Sequence, residues 1–295
     1  MRKIAFYLMN SKGYFVLERF VATFGCEAID YIVSEEDKKL KKDFYSDIKK
    51  LAGERGISFY KRTAFDINVE EQFTGFKIAI GWRWLIENQS NVMVFHDSLL
   101  PKYRGFSPLV NSLINGETRG GVTVLFADKA YDKGQIIAQK AVEFSYPLKI
   151  EEAIRLVEPI YSELLDALYS KLLNQEPLGS INQDESKATY SAWLDVDDYF
   201  IDWRWSAEKI KRFVDAVGFP YDGAKVYLGN RIVKLLEVEV GEDVYVEHRS
   251  RHVGKVVFMN NTTPIIICSE GVLKLINISN QEGEALNINF RSRFK

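Results

Sequence analysis

The chain has 295 residues, 46% hydrophobic and 27% charged, with a formal net charge of -2 and a pI near 6.1. That length holds one large or two ordinary domains, and the composition supports a sizeable core and excludes a disordered chain. The slightly acidic balance argues against a protein whose main task is to grip a polyanion such as DNA or tRNA.

Residues 3–9 read as a buried strand, the polar turn Asn10-Ser11-Lys12-Gly13 follows, and 14–24 has helical spacing. The apolar run before that turn is too short for a secretory leader, and no stretch is long enough to span a bilayer. Residues 27–33 read as a second strand. The charged, amphipathic stretch 38–55, with Leu40, Phe44, Ile48 and Leu51 at helical intervals, predicts a helix. Further strands are expected at 57–60, 77–80 and 92–95. This alternation predicts an α/β core, Rossmann-like, with helices on both faces of a mostly parallel sheet. A short helix at 108–115, a strand at 121–127 and extended chain at 136–144 come next. A strongly amphipathic helix over 150–173 should kink or restart at Pro159.

The chain turns polar, with Gly and Pro, up to residue 187, as a linker would. Beyond it, a helix at 207–217 precedes short β-prone runs at 225–228, 232–240, 253–259, 265–268 and 272–278, the texture of a small β-rich, OB-like domain. The expected organisation is a catalytic domain at 1–174, a linker at 175–187 and a β-rich domain at 188–295. The two cysteines, Cys26 and Cys268, stand in no metal-ligand spacing, so neither a disulfide framework nor a metal is expected, and a reducing cytoplasm is the expected setting.

The apolar run 92–95 ends in His96, one of three histidines. In an open α/β sheet, ligands sit beyond the carboxyl ends of the strands. A histidine there can also serve simply as a hydrogen-bonded strand cap. Lys102, Tyr103 and Arg104 follow closely, where two cations can meet an anionic substrate or be solvated. Asp132 sits in a Tyr-Asp-Lys-Gly turn; it is either a turn former or, beside His96, a group that orients the imidazole.

The segments "FHDSLLPKYRG", "NGETRGGVTV" and "DKGQIIAQ" resemble the formyltransferases that use 10-formyltetrahydrofolate. "ATYSAWLDVDDYFIDWRWSAEKIKRFVDAV" and "FPYDGAKVYLGN" are similar to the C-terminal extension of methionyl-tRNA formyltransferase and of the formylating half of aminoarabinose synthesis. The resemblance implies acyl transfer: an amine attacks the formyl carbon through a tetrahedral oxyanion. It assigns catalysis to His96 and Asp132. It places the folate co-substrate against Trp82, Arg83, Leu85, Ala127, Asp128 and Tyr131. The turn Asn10, Ser11, Lys12 and Gly13, between strand and helix, is positioned to meet a substrate phosphate at a helix N-terminus, and with Lys102, Tyr103 and Arg104 it is the expected acceptor site. Both tryptophans of this segment, Trp82 and Trp84, can instead be ordinary core packing. Where the family carries asparagine two residues before the histidine, this chain has Val94, which has no donor. Oxyanion donation then falls to a backbone amide, to His96 or to an ordered water.

Three acceptors fit the resemblance: a nucleotide-linked amino deoxysugar of a surface polysaccharide, charged tRNA, or none in a binding-only homologue. Residues 186–295 hold 15 Lys plus Arg and 15 Asp plus Glu. A tRNA-binding domain should be basic, so the sugar nucleotide is the expected small-molecule partner, with neither nucleic acid nor membrane. A homodimer is compatible with all of this.

Overall fold

The structure, a computed structural model, describes residues 2–295 and divides into two compact units. The first comprises residues 2–109, 119–144 and 153–192; the second comprises 110–118, 145–152 and 193–295.

In chain order the first unit carries β1 (Ile4–Leu8), α1 (Asn10–Phe24), β2 (Ile29–Ser34), α2 (Tyr45–Glu54), β3 (Ser58–Lys61), α3 (Ile67–Gln72), β4 (Phe76–Ile80), β5 (Val92–His96) and the two-residue β6 (Arg104–Gly105). Helix α4 (Pro108–Ile114), which from Val110 on belongs to the second unit, leads to β7 (Arg119–Phe126), β8 (Ile136–Glu143), α5 (Ile150–Leu173), whose first three residues also belong to the second unit, and β9 (Tyr190–Ser191). Seven strands form one sheet, in the order β3-β2-β1-β4-β5-β7-β8. The first five run parallel; β7 reverses against β5, and β8 reverses against β7. This is the expected mostly parallel α/β architecture. Every residue of β1 is buried, as in a sheet covered on both faces. Phe6 on β1 meets Phe20 of α1 edge to face at 5.3 Å, and Tyr169 of α5 closes on Phe20 at 4.9 Å.

The second unit is built on α6 (Ala207–Ala216) and a five-stranded antiparallel sheet of β10 (Ala224–Leu228), β11 (Arg231–Gly241), β12 (Val256–Asn260), β13 (Thr263–Ile267) and β14 (Val272–Ser279), in the order β10-β11-β14-β13-β12. The Ser206 hydroxyl caps α6 by accepting from the Lys209 amide. Ile210, Phe213 and Val214 of α6 are buried, as are Val233, Leu235, Val238 and Leu273 of the sheet. Among the described residues, no helix is long and apolar enough to cross a membrane.

Two local expectations fail. The helix expected over 38–55 starts only at Tyr45. Asp37 accepts from the Lys39 amide and Asp43 from the Tyr45 amide, and Phe44 lies in the left-handed region at φ 63°; these local side-chain bonds outcompete the helix before residue 45. Conversely, Pro159 does not divide α5. Buried Ala153 and Val157 before it, and Tyr161 and Leu165 after it, hold one continuous helix. The polar stretch 175–187 is tied to the first unit: Ile181 and Ile136 exchange both backbone hydrogen bonds, each 2.9 Å.

Candidate active site

The parallel strands β1 to β5 all present their carboxyl ends at one edge, and His96 is the last residue of β5. Its side chain is only 7% exposed. Nε2 lies 2.7 Å from the Tyr103 carbonyl, an acceptor only, so Nε2 carries a hydrogen and donates it. Nδ1 then faces Asp132, with Oδ1 3.6 Å away, while Oδ2 accepts from the Gly105 amide at 2.7 Å. Strand β7 exits beside Met93, at the other end of β5, and Asp132 reaches His96 because the turn after β7 doubles back. The connection after His96 is anchored by Thr123, whose hydroxyl donates to the Ser98 carbonyl at 2.6 Å and accepts from the Leu100 amide at 3.1 Å. Val94 shares a sheet face with His96, two residues along the strand. It packs against two apolar clusters, one with Tyr7, Ala79 and Ile86, the other with Leu100, Leu125 and Ile136.

The residues expected around a folate divide. Trp82 and Ala127 are half-buried and pack on the same cluster as Val94. The Trp82 indole Nε1 is buried with no protein partner. A buried, unanswered donor on an apolar floor fits a flat heteroaromatic ring with its own acceptors, so these residues fit a pterin. Gly81, at φ 64°, is required there: a Cβ would fall 2.3 Å from the Asn10 amide nitrogen. Tyr131 is 57% exposed, against the Phe106 ring at 5.9 Å, and Asp128 closes its own turn by accepting from the Ala130 amide. Leu85 is 63% exposed, and Arg83 turns the other way, onto Asp37.

Two cations expected to meet substrate are instead turned inward. Lys12 is buried and pairs with Asp97, which also accepts from the Tyr161 hydroxyl. Burial alone would raise the Asp97 carboxyl, but the Lys12 ammonium, the Tyr161 hydroxyl and His96 outweigh it and hold it below the usual carboxylate range. Burial, with Asp97 beside it, pushes the Tyr161 hydroxyl well up. Arg104 is fully buried, its guanidinium forked onto Glu185 at 2.8 and 2.9 Å and onto the Gln183 carbonyl. Lys102 is exposed. The Asn10 side chain accepts from the Lys12 amide in the first turn of α1, beside half-buried Ser11 and buried Gly13. Asp97, Tyr161, Thr123 and Gln183 were not expected; of these, only Asp97 had a local signal, its place next to His96.

A second feature lies along the same strand ends. A cavity of about 450 Å³ opens past β1 to β4, lined by Met9, Glu35, Asp37, Lys61, Arg62, Arg83 and Trp84 among others. The Arg62 guanidinium lies 4.3 Å from the Trp84 ring centre. The walls carry five cations against three carboxylates, a setting for a ring, its hydroxyls and an anionic tail.

Two family descriptions match: formyl transferase over residues 74–155, which contains His96 and Asp132, and formyl transferase, C-terminal domain, over 194–293. With the mostly parallel sheet and the antiparallel second unit, they define a two-part formyl transferase fold. The chain belongs to the formyl transferase family. The methionyl-tRNA formyltransferase of Syntrophomonas wolfei is 30% identical over 183 residues, 62% of this chain and 57% of that protein. The chain thus matches a little over half the length of such relatives. A solved sugar 3N-formyl transferase, WlaRD, in the presence of dTDP and 5-N-formyl-THF, aligns over 98% of this chain and 99% of its own at a TM-score of 0.67 and 16% identity. The N-formyltransferase of Helicobacter canadensis, in complex with folinic acid and dTDP-3-aminofucose, aligns over 93% and 99% at 0.70 and 13%. These two likenesses concern the fold.

Proposed function

We propose that the chain is an N-formyltransferase that moves a formyl group from 10-formyltetrahydrofolate to the amino group of a nucleotide-linked amino deoxysugar. The observation that carries the reaction is the His96 ring, fixed through Nε2 and facing a carboxylate through Nδ1. Trp82 and Ala127 would hold the pterin, and the folate supplies the formyl group. The Asp132 carboxylate accepts the proton that the acceptor amine gives up as the new C–N bond forms, and that proton goes to the folate N10 as its bond to the formyl carbon breaks and tetrahydrofolate leaves. His96 Nδ1, when protonated, is the donor for negative charge developing on the formyl oxygen; one such donor is worth about 3 kcal/mol. The cavity past β1 to β4 is the place for the nucleotide.

Support for the sugar comes from the even charge count of residues 186–295 and from two solved neighbours, one a sugar 3N-formyl transferase and the other in complex with dTDP-3-aminofucose. A second reading, formylation of methionyl-tRNA, is favoured by the curated relatives and by the lysines at 38, 39, 41 and 42, beside the cavity. Incubation with 10-formyltetrahydrofolate and a panel of amino-sugar nucleotides, read by mass spectrometry, is expected to add one formyl group to a sugar. Initiator tRNA at physiological salt should bind no tighter than micromolar and should not be formylated when charged; formylation of the tRNA alone would replace the sugar reading.

Val94 gives a further test. Because it packs on two apolar clusters, Val94→Asn places an amide among apolar neighbours and should cost about 1–3 kcal/mol of stability. Thermal melting and turnover are measured together. An unchanged melting temperature with faster turnover would show that this face has room for the amide.

A further inference from the structure

Gln183 lies between the two matched family segments, in the polar stretch 175–187. All four hydrogen-bonding positions of its amide are engaged. Oε1 accepts from Arg104 Nε at 3.0 Å and Nη2 at 2.8 Å; Nε2 donates to the Asp132 carbonyl at 2.7 Å and the Gly134 carbonyl at 2.8 Å. A guanidinium only donates and a carbonyl only accepts, so the orientation of the amide is fixed by its partners.

Three consecutive residues each hold a different part of the site. The Tyr103 carbonyl takes the His96 ring, Arg104 takes Gln183, and the Gly105 amide takes the Asp132 carboxylate. Gly105 sits at φ 98°, where a Cβ would lie 2.6 Å from the Ser191 carbonyl oxygen, so that backbone is confined to glycine. The Thr189 hydroxyl and carbonyl accept from the amides of Tyr103 and Arg104 at 2.8 and 2.9 Å. Asp132 itself is left-handed, at φ 55°, a conformation that a non-glycine residue keeps only when its surroundings impose it. Gln183 grips the carbonyl of that residue and ties it to the chain that holds His96.

We propose that Gln183 is a positioning residue that fixes the Asp132 turn, and with it the separation of carboxylate and imidazole; its effect on rate rests on the formyl-transfer reading above. The diagnostic variant is Gln183→Glu. An introduced carboxylate still accepts from Arg104, which should keep the chain folded, but it cannot donate to the two carbonyls. At neutral pH, kcat should fall about 10- to 100-fold, the scale of a small misplacement of reacting groups, with KM for both substrates within threefold. On acidification the introduced carboxyl regains a proton to donate, so the ratio of variant to wild-type kcat should rise; with Gln183→Met it should stay flat. Hydrogen exchange gives a readout free of activity: the Gly105 amide, bonded to the Asp132 carboxylate, should exchange at least about 10-fold faster in Gln183→Glu, with the strands of the sheet unchanged. If wild type formylates no amine but Gly105 loses protection, the positioning role stands and the formyl-transfer reading falls. If Gly105 protection is unchanged, or kcat stays within threefold of an active wild type, the positioning role is overturned.

Discussion

Replacing His96 with asparagine, or Asp132 with asparagine, is expected to lower formyl transfer by at least about 100-fold, the usual scale of general acid–base catalysis. Both substitutions leave a neutral amide at the altered position. In His96→Asn the amide stands where Nδ1 stood and can still face Asp132, but it does not exchange a proton near neutral pH, and the Nε2 bond to the Tyr103 carbonyl is lost. In Asp132→Asn the side-chain oxygen can still accept from the Gly105 amide, but the charge facing the imidazole is gone. Folate binding, measured by fluorescence titration, should change little, because neither side chain is part of the apolar cluster that packs with Trp82 and Ala127. The two groups act as one unit, so the double variant should be little worse than either single one. Near wild-type turnover in either variant would remove the pair from the chemistry.

The largest stability effect is expected from Lys12→Met. Lys12 and Asp97 have side-chain exposures of 11% and 12%, so each is the main counter-charge of the other in a mostly dry environment. Removing one member of a buried pair strands the other and typically costs about 3–5 kcal/mol. The double variant Lys12→Met with Asp97→Leu should recover much of that loss, because no lone charge remains. The pH dependence has a definite sign. The Asp97 carboxyl is held below its usual value in the folded chain, so it contributes stability that is present above about pH 4, the ordinary carboxylate range, and is lost as pH falls below it. Urea unfolding at pH 7 and near pH 3 should show Lys12→Met losing much less than wild type on acidification. An equal loss in both would mean that Lys12 does not hold that carboxylate.

What was legible in the sequence was local. Short apolar runs, each followed by a polar break, give β1 to β5 their places, and the alternation with helices gives the parallel sheet. His96 stands out because it ends such a run. Asp132 was legible only through its motif, since its neighbour lies 36 residues away, across a strand and a returning turn. The two misplaced cations show the limit. Lys12 and Arg104 carry charge in exposed-looking turns, and nothing near them says that they are buried. Their partners Asp97 and Glu185 lie 85 and 81 residues off. The helix expected from residue 38 fails for the opposite reason: its apolar spacing is real, but Asp37 and Asp43 satisfy the backbone locally before a helix can use it.

The strap from Ile181 to Ser191 bears on where this chain can be cut. Composition places the natural break near residue 174, where Gly, Pro and polar residues begin. A fragment ending there would retain His96 and Asp132, and every strand of the large sheet, yet it would leave the Arg104 guanidinium buried without its acceptors and the Tyr103 amide without Thr189. A cut after Ala192, the last residue of the first compact unit, keeps the bonds of Arg104 and Tyr103 that a cut at 174 removes. Sequence texture marks where a chain stops being apolar; it does not mark where a domain stops being self-sufficient.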